Sequence, residues 1–121
     1  MTNSDSKNTI DITFLKSQIG DEKKNVVQIL SVFKKAMLSF CELIGEHLSN
    51  ENVAGIKDQT HKLAPSCQML RLDYLYNLLR ETELKSSTSV STSQVKEQVD
   101  EALQIIKMVI PQIDHLVDNY E

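Results

Sequence analysis

Apolar residues recur at steps of three and four along most of the chain, which places them on one face of an α-helix. The longest such stripe runs from Val26 to Leu48 and predicts a long helix that begins near Asp21. Ahead of it, a short stripe predicts a first helix over residues 12–19 that ends at Gly20. The first half of the chain is therefore expected to hold one short and one long helix.

The second half of the chain continues the pattern. Three further stripes predict three more helices, from Val53 to Leu70, from Leu75 to Thr82, and from Val95 to Tyr120. Pro65 lies inside the first of these, yet the apolar phase continues past it, which favours one kinked helix over two separate helices. Pro111 is expected to bend the last helix, since proline removes a backbone hydrogen bond. A loop rich in serine and threonine, KSSTSVSTS, precedes that helix.

No stretch of the sequence alternates apolar and polar residues as a strand would, and no internal repeat is present. The pattern predicts an all-α fold, a helical bundle of four long elements with a short extra N-terminal helix. Residues 1–8 are polar and are expected to form a flexible N-terminal tail. The helical bundle domain is expected to cover residues 9–121.

Composition and charge exclude several classes of function. The chain has 121 residues, which suits one domain, and a formal net charge of −4 with no basic stripe, so no nucleic acid partner is expected. No apolar run approaches the ~20 residues of a membrane helix, so we expect no direct membrane insertion. The sequence opens without a charged and apolar leader, so we expect no signal peptide and a cytoplasmic location.

The residues that could ligate a metal are few and scattered. Cys41 and Cys67 both lie within apolar helical patterns and are interpreted as reduced, buried thiols. The three histidines do not cluster with them in the sequence, so no metal site and no cofactor are expected. This leaves single side chains as the candidates for chemistry.

His61 is the candidate that the helical pattern singles out, within the segment THKLAPSCQML at residues 60–70. On a helical wheel it lies roughly 100° from the centre of the apolar stripe, so it should be reachable from solvent. Lys57, Ala64, Pro65 and Gln68 lie within about 60° of it. Alanine and proline are compact, and position 65 has no amide to donate to the His61 carbonyl, so this face is expected to be open at the imidazole.

An isolated histidine on a helix flank is most often an ordinary surface residue, and His47 and His115 are interpreted in that way. The motif HKLAPS, however, resembles the phosphoacceptor motif of histidine-containing phosphotransfer (HPt) domains, whose usual form is histidine, any residue, leucine, lysine, glycine, serine. IDITFLKSQIGDEKK, VFKKAMLSF and LDYLYNLLRETE resemble other segments of that family, including its late glutamate, here Glu81 or Glu83. The resemblance therefore covers most of the chain.

The resemblance implies an antiparallel four-helix bundle that works as a phosphorelay intermediate in two-component signal transduction. His61 would accept a phosphoryl group from the aspartyl phosphate of a receiver domain and pass it to or from another receiver, with no kinase activity of its own. Its partners would be response-regulator receiver domains, including that of a hybrid sensor histidine kinase. Mg²⁺ would be bound by the receiver only, and the chain itself is expected to be a monomer.

Two positions depart from the family motif. Its lysine corresponds to Ala64 here, and its glycine corresponds to Pro65. In the family the lysine helps to hold the phosphoryl group, so Lys57 or Lys62 would have to supply that charge. Ala64 also supports an alternative, a helical adaptor that binds a signalling partner but has lost phosphotransfer. An unrelated helical bundle that binds a ligand or partner is a third possibility.

The helical wheel also predicts where a receiver would dock. The expected contact residues surround His61 on the third helix: Lys57, Asp58, Lys62, Ala64, Pro65 and Gln68. The second helix is expected to contribute the neighbouring rim, with Gly45 as a candidate for close approach. Asp58 is expected to be the carboxylate nearest to His61, and position 64 is expected to lie off the buried stripe.

Overall fold

The computed structural model describes residues 8–120, and within them it contains helices and no strand. Five α-helices follow in order: α1 Ile12–Ile19, α2 Lys23–Ser49, α3 Val53–Met69, α4 Asp73–Ser86 and α5 Lys96–Asn119. One turn of 3₁₀-helix, Thr92–Gln94, precedes α5. The all-helical class is thereby confirmed, and each helix that the apolar spacing predicted is present.

The four long helices pack so that each touches two others. α3 contacts α2 and α4, and α5 contacts the same two helices, while α1 packs on α2. The core between them is formed by the apolar stripes, whose largest fully buried members include Leu30, Met37, Phe40 and Ile56. Burial of this apolar surface is the main favourable term that holds the helices together.

α3 runs unbroken through Pro65, as predicted, and α5 runs unbroken through Pro111. The apolar stripe of α3 keeps its phase across the proline because Ile56, Leu63 and Cys67 are all buried. Pro65 itself is exposed, and with no amide it leaves the His61 carbonyl without the usual helical donor. The packing of α3 thus continues where its hydrogen-bond ladder is interrupted.

The N-terminal segment is attached to the bundle from Asn8 onwards. The Gln112 side chain accepts from the Ile10 amide at 2.9 Å and donates to the Asn8 carbonyl at 2.7 Å. Asn8, the last residue of the predicted tail, is only 3% exposed. Residues 1–7 of that predicted tail lie outside the described residues.

The turn between α2 and α3 contains a residue in the left-handed region. Glu51 has φ of 53°, and the Asn52 amide donates to the His47 carbonyl at 2.8 Å, which is the bond of a Schellman turn. A glycine would adopt this φ without strain, so a glutamate at this position has a conformational cost. The hydrogen bonds of the Glu51 side chain offset that cost.

The Glu51 carboxylate holds the start of the 3₁₀-helix. It accepts hydrogen bonds from the Thr92 hydroxyl at 2.6 Å, from the Thr92 amide at 3.2 Å and from the Ser91 hydroxyl at 3.2 Å. The hydrogen bonds from Thr92 lower the pKa of Glu51, since they favour its charged form. One side chain thus links the α2–α3 turn to the loop that precedes α5.

The turn between α3 and α4 is built in the same way. Arg71 has φ of 58°, and the Leu72 amide donates to the Cys67 carbonyl at 2.9 Å. The Arg71 guanidinium lies 4.7 Å from the centre of the Phe14 ring of α1, a cation–π contact. Both ends of α3 are therefore fixed by a turn whose strained residue contacts another part of the chain.

We expect the Glu51 hydrogen bonds to give a pH-dependent contribution to stability. Because its pKa is lowered in the folded state, this contribution is present above the ordinary value of 4.5 and is lost as the pH falls through the lowered value. Glu51→Gln should flatten the fall in melting temperature below about pH 4.5. Thermal unfolding at several pH values measures the effect, with Glu42→Gln, an exposed glutamate of α2, as the control. An unchanged profile in Glu51→Gln would contradict this assignment.

Candidate functional site

His61 lies on the exposed side of α3, beside α4. Its side chain is 69% exposed, and its Nδ1 atom lies 2.9 Å from Oε2 of Glu83, a residue of α4. The Glu83 side chain is only 18% exposed, so its carboxylate is held against the helix pair. The packing of α3 on α4 therefore sets the position of the imidazole relative to a carboxylate.

This contact assigns the tautomer of His61. An ionised carboxylate can only accept hydrogen bonds, so the proton of the neutral imidazole is assigned to Nδ1. The lone pair then resides on Nε2, the ring nitrogen that is not bonded to Glu83. A neutral nitrogen with a free lone pair at an exposed position is the group that a histidine nucleophile requires.

The other two histidines have the opposite arrangement. His47 Nδ1 lies 3.3 Å from Nδ2 of Asn52, and His115 Nδ1 lies 3.2 Å from Nδ2 of Asn119. An amide nitrogen donates, so these contacts make Nδ1 the acceptor and place the proton on Nε2. Among the three histidines, His61 alone has a carboxylate at Nδ1.

Glu83 corrects one expectation from the sequence. Asp58 was expected to be the nearest carboxylate, but Glu83 is bonded directly to the imidazole. It was also one of two candidates for the family's late glutamate, and the other, Glu81, is exposed on α4. The second carboxylate oxygen of Glu83, Oε1, is buried without a hydrogen bond, and Nε of Arg80 lies 3.9 Å from it.

Two grooves flank His61 along α3. The first, between α3 and α4, is lined by His61 together with Ala54, Lys57, Asp58 and Glu83. The second, between α2 and α3, is lined by Ala36, Ser39, Phe40, Gln59, Lys62 and Leu63. We refer to them as the His61 groove and the Lys62 groove. The exposed part of α3 thus forms a ridge between two depressions.

The two lysines near His61 line different grooves, Lys57 the His61 groove and Lys62 the Lys62 groove. Lys62 Nζ lies 2.9 Å from Oδ2 of Asp58, an ion pair one turn apart on α3. Lys57 lies in the His61 groove and forms no ion pair with any residue in 8–120. The nearby cation that is not already paired is therefore Lys57.

Most of the predicted docking residues are exposed, with one exception. Lys57, Asp58, Lys62, Pro65 and Gln68 are all exposed around His61. Ala64, however, is 4% exposed and belongs to the core. The wheel placed it off the buried stripe, but α3 is covered by α2 on one side and by α4 on the other, so its buried arc is wider than one stripe.

Gly45 is exposed on α2, and a Cβ atom added there would meet no atom within 4 Å. Among residues 8–120, nothing outside its own helix therefore approaches it closely, and no contact there requires a glycine at this position. Its predicted role in close approach concerns a partner and stays a prediction.

The other reactive groups among residues 8–120 form no second site. Cys41 and Cys67 are free thiols, and burial raises the pKa of Cys67 to about 12, so it stays protonated at neutral pH. Within the described part of the chain, no three side chains of the histidine, cysteine, aspartate and glutamate types are grouped to hold a metal ion. No helix between residues 8 and 120 has the length and apolar content that crossing a bilayer requires.

Comparisons with family models, with curated proteins and with solved structures found no match for this chain. The interpretation of the site therefore rests on its own geometry. That geometry consists of an exposed histidine, one ring nitrogen bonded to a carboxylate, and, in the same groove, a lysine with no ion-pair partner in the described part of the chain.

We expect Glu83 to control the tautomer of His61. Glu83→Ala removes the acceptor at Nδ1, so the neutral imidazole should shift towards the Nε2-protonated form that predominates for free histidine. Glu81→Ala is the matched control, since Glu81 is exposed and two residues away. Long-range ¹H–¹⁵N spectra of His61 report the protonation of each nitrogen. Equal tautomer populations in Glu83→Ala and the parent protein would show that the 2.9 Å contact does not fix the proton.

We expect Ala64→Arg to destabilise the fold, because it forces a long charged side chain into the core. A cost of about 3 kcal/mol or more is typical of such overpacking and charge burial. Gln68→Arg, one turn further on the exposed side of α3, should change the free energy of unfolding by less than about 0.5 kcal/mol. Urea unfolding of the two variants compares them. If Ala64→Arg were as stable as the parent protein, residue 64 would have to lie on the surface, and this interpretation would be wrong.

Proposed function

We propose that this protein is a phosphorelay intermediate of the histidine-containing phosphotransfer type, with His61 as the phosphoacceptor. The observation that carries the proposal is the hydrogen bond between His61 Nδ1 and Glu83, because in the neutral ring it assigns the proton to Nδ1 and leaves the lone pair on Nε2 of an exposed side chain. The HKLAPS motif at residues 61–66 supports the same assignment. In this proposal the chain is a carrier, and any kinase activity belongs to another protein.

The proposed transfer needs little from the chain beyond a positioned nucleophile. The Nε2 lone pair forms a bond to phosphorus while the bond between phosphorus and the aspartyl oxygen of the receiver breaks. The electron pair of that bond stays on the aspartate carboxylate, and the proton stays on Nδ1. The imidazole becomes positively charged, and the Glu83 carboxylate stabilises that charge. Mg²⁺ is assigned to the receiver, and the chain needs no cofactor of its own.

The proposal includes an antiparallel four-helix bundle formed by α2 to α5, with α1 as the extra N-terminal helix. The turns at residues 50–52 and 70–72 support it, since short connections between long helices favour antiparallel neighbours. The contacts of each long helix with two others fit the same arrangement. We further propose that the protein is a monomer and that it acts in the cytoplasm, where receiver domains are found.

We propose that receivers dock on the exposed ridge around His61. The docking surface consists of Lys57, Asp58, Lys62, Pro65 and Gln68, and it includes the two grooves beside the ridge. Pro65 and Gln68 are uncharged, whereas Lys57, Asp58 and Lys62 carry charges, and charges on a docking surface favour rapid encounter and specificity. Ala64 is not part of this surface because it is buried.

The decisive experiment is transfer of radioactive phosphate from receiver domains charged with labelled acetyl phosphate. Label should reach the parent protein, His47→Gln and His115→Gln, and it should be lost from His61→Gln, because only His61 has its proton held on Nδ1. The transferred label should be labile in acid and stable in base, as phosphohistidine is. Label in His61→Gln would contradict the assignment.

The adaptor alternative makes a different prediction in the same experiment. Ala64 in place of the family's lysine is the observation that favours it. An adaptor would bind a receiver in calorimetry and take no label from it, whereas the proposed carrier does both. A panel of receivers from the same organism is needed, so that a missing cognate partner is not mistaken for inactivity.

A further inference from the structure

Phosphorylation of His61 would concentrate negative charge between α3 and α4. A phosphoryl group carries about −1.5 to −2 charges near neutral pH. The Glu83 carboxylate is bonded to the other nitrogen of the same ring, and Asp58 lines the groove beside it. Like charges at such separations disfavour one another, so the phosphorylated state needs a cation in this groove.

Three cations lie near the site, and two of them are already engaged. Lys62 lines the Lys62 groove, and its ammonium group is paired with the Asp58 carboxylate at 2.9 Å, so its charge is already engaged. Arg80 lies 3.9 Å from Oε1 of Glu83, so its charge is directed to the carboxylate. Lys57 lines the His61 groove and has no ion-pair partner among residues 8–120.

Helix geometry also favours Lys57. Residues four apart on a helix are neighbours, with Cβ atoms about 5–6 Å from each other. Helical side chains lean towards the N-terminus of their helix, so the His61 imidazole lies over the turn that contains Lys57. Position 64, where the motif family has its lysine, lies towards the C-terminus and is buried here.

We propose that Lys57 binds the phosphoryl group on His61 Nε2. The proposal rests on the proposed function for the source of that group, an acyl phosphate of a receiver aspartate. Lys57 stays protonated throughout the transfer described above, and it donates hydrogen bonds to the phosphoryl oxygens while the bond to Nε2 forms. It therefore contributes charge and orientation without exchanging a proton.

The test uses the full chain and a chemical donor, potassium phosphoramidate, so that it requires no receiver. Phosphorylated His61 is observed by ³¹P NMR, and its signal is identified by its absence in His61→Gln. The titration of that signal gives the apparent pKa of phosphohistidine, in which the ring and the phosphoryl group both take part. A neighbouring cation favours the less protonated form and lowers this pKa, so Lys57→Gln should raise it by about 0.5 unit at low salt.

Two further variants make the result specific. Lys57→Arg keeps the charge and should leave the pKa within about 0.2 unit of the parent value. Lys24→Gln removes the same charge from a separate depression lined by Lys23, Val27 and Gln28, and it should shift the pKa by less than about 0.1 unit. Raising the salt concentration to about 1 M should remove most of the difference between Lys57→Gln and the parent.

Equal shifts in Lys57→Gln and Lys24→Gln would overturn the proposal, because the effect would then be one of net charge. An unchanged pKa in Lys57→Gln would also overturn it, and so would failure of phosphoramidate to label His61. These outcomes are distinct from failure of the proposed function, which is absence of transfer from charged receivers to the parent protein. Receiver transfer to His61 with no pKa effect at Lys57 would leave that function intact.

Discussion

The rotation of α3 about its own axis is the constraint on which the site depends. Ile56, Leu63 and Cys67 are buried along the helix, and neighbours cover it on both sides, so it has one rotational setting. A shift of one residue would turn it by about 100° and expose part of this apolar surface. At the observed setting His61 meets Glu83, so the apolar packing of α3 determines where the imidazole lies.

The two ring nitrogens of His61 have different roles: Nδ1 is bonded within the fold, and Nε2 is not. Nδ1 is bonded to a carboxylate that α4 supplies, and this bond orients the ring and assigns the tautomer of its neutral form. Nε2 is left for chemistry. The same carboxylate that orients the ring also adds negative charge near it. Lys57, in the same groove and with no ion-pair partner among residues 8–120, can offset that charge, whereas the charge of Lys62 is already paired with Asp58.

The sequence predicted the helices well because their apolar spacing repeats over many residues, and it placed His61 correctly on an exposed flank. The predicted exposure of Ala64 was wrong, because a helical wheel shows one helix and not the neighbouring helices that cover its sides. The sequence also failed to choose Glu83, which lies 22 residues from His61 and meets it only through the packing of two helices. The position of Glu83 on α4 was nevertheless a clue to its role. Leu79, Thr82 and Ser86 are buried on that helix, and Glu83 lies beside this buried stripe.

The two strained turns that bound α3 have a consequence for how the chain can vary in length. Glu51 and Arg71 fix both ends of the helix to other segments, through Thr92 and through the Phe14 ring. An inserted or deleted residue between them would turn His61 away from Glu83 or break one of these attachments. Length changes are therefore excluded from residues 53–69 in any related chain that keeps this site. The serine- and threonine-rich loop before Ser91 should tolerate added residues better, because loop closure costs little more with each added residue.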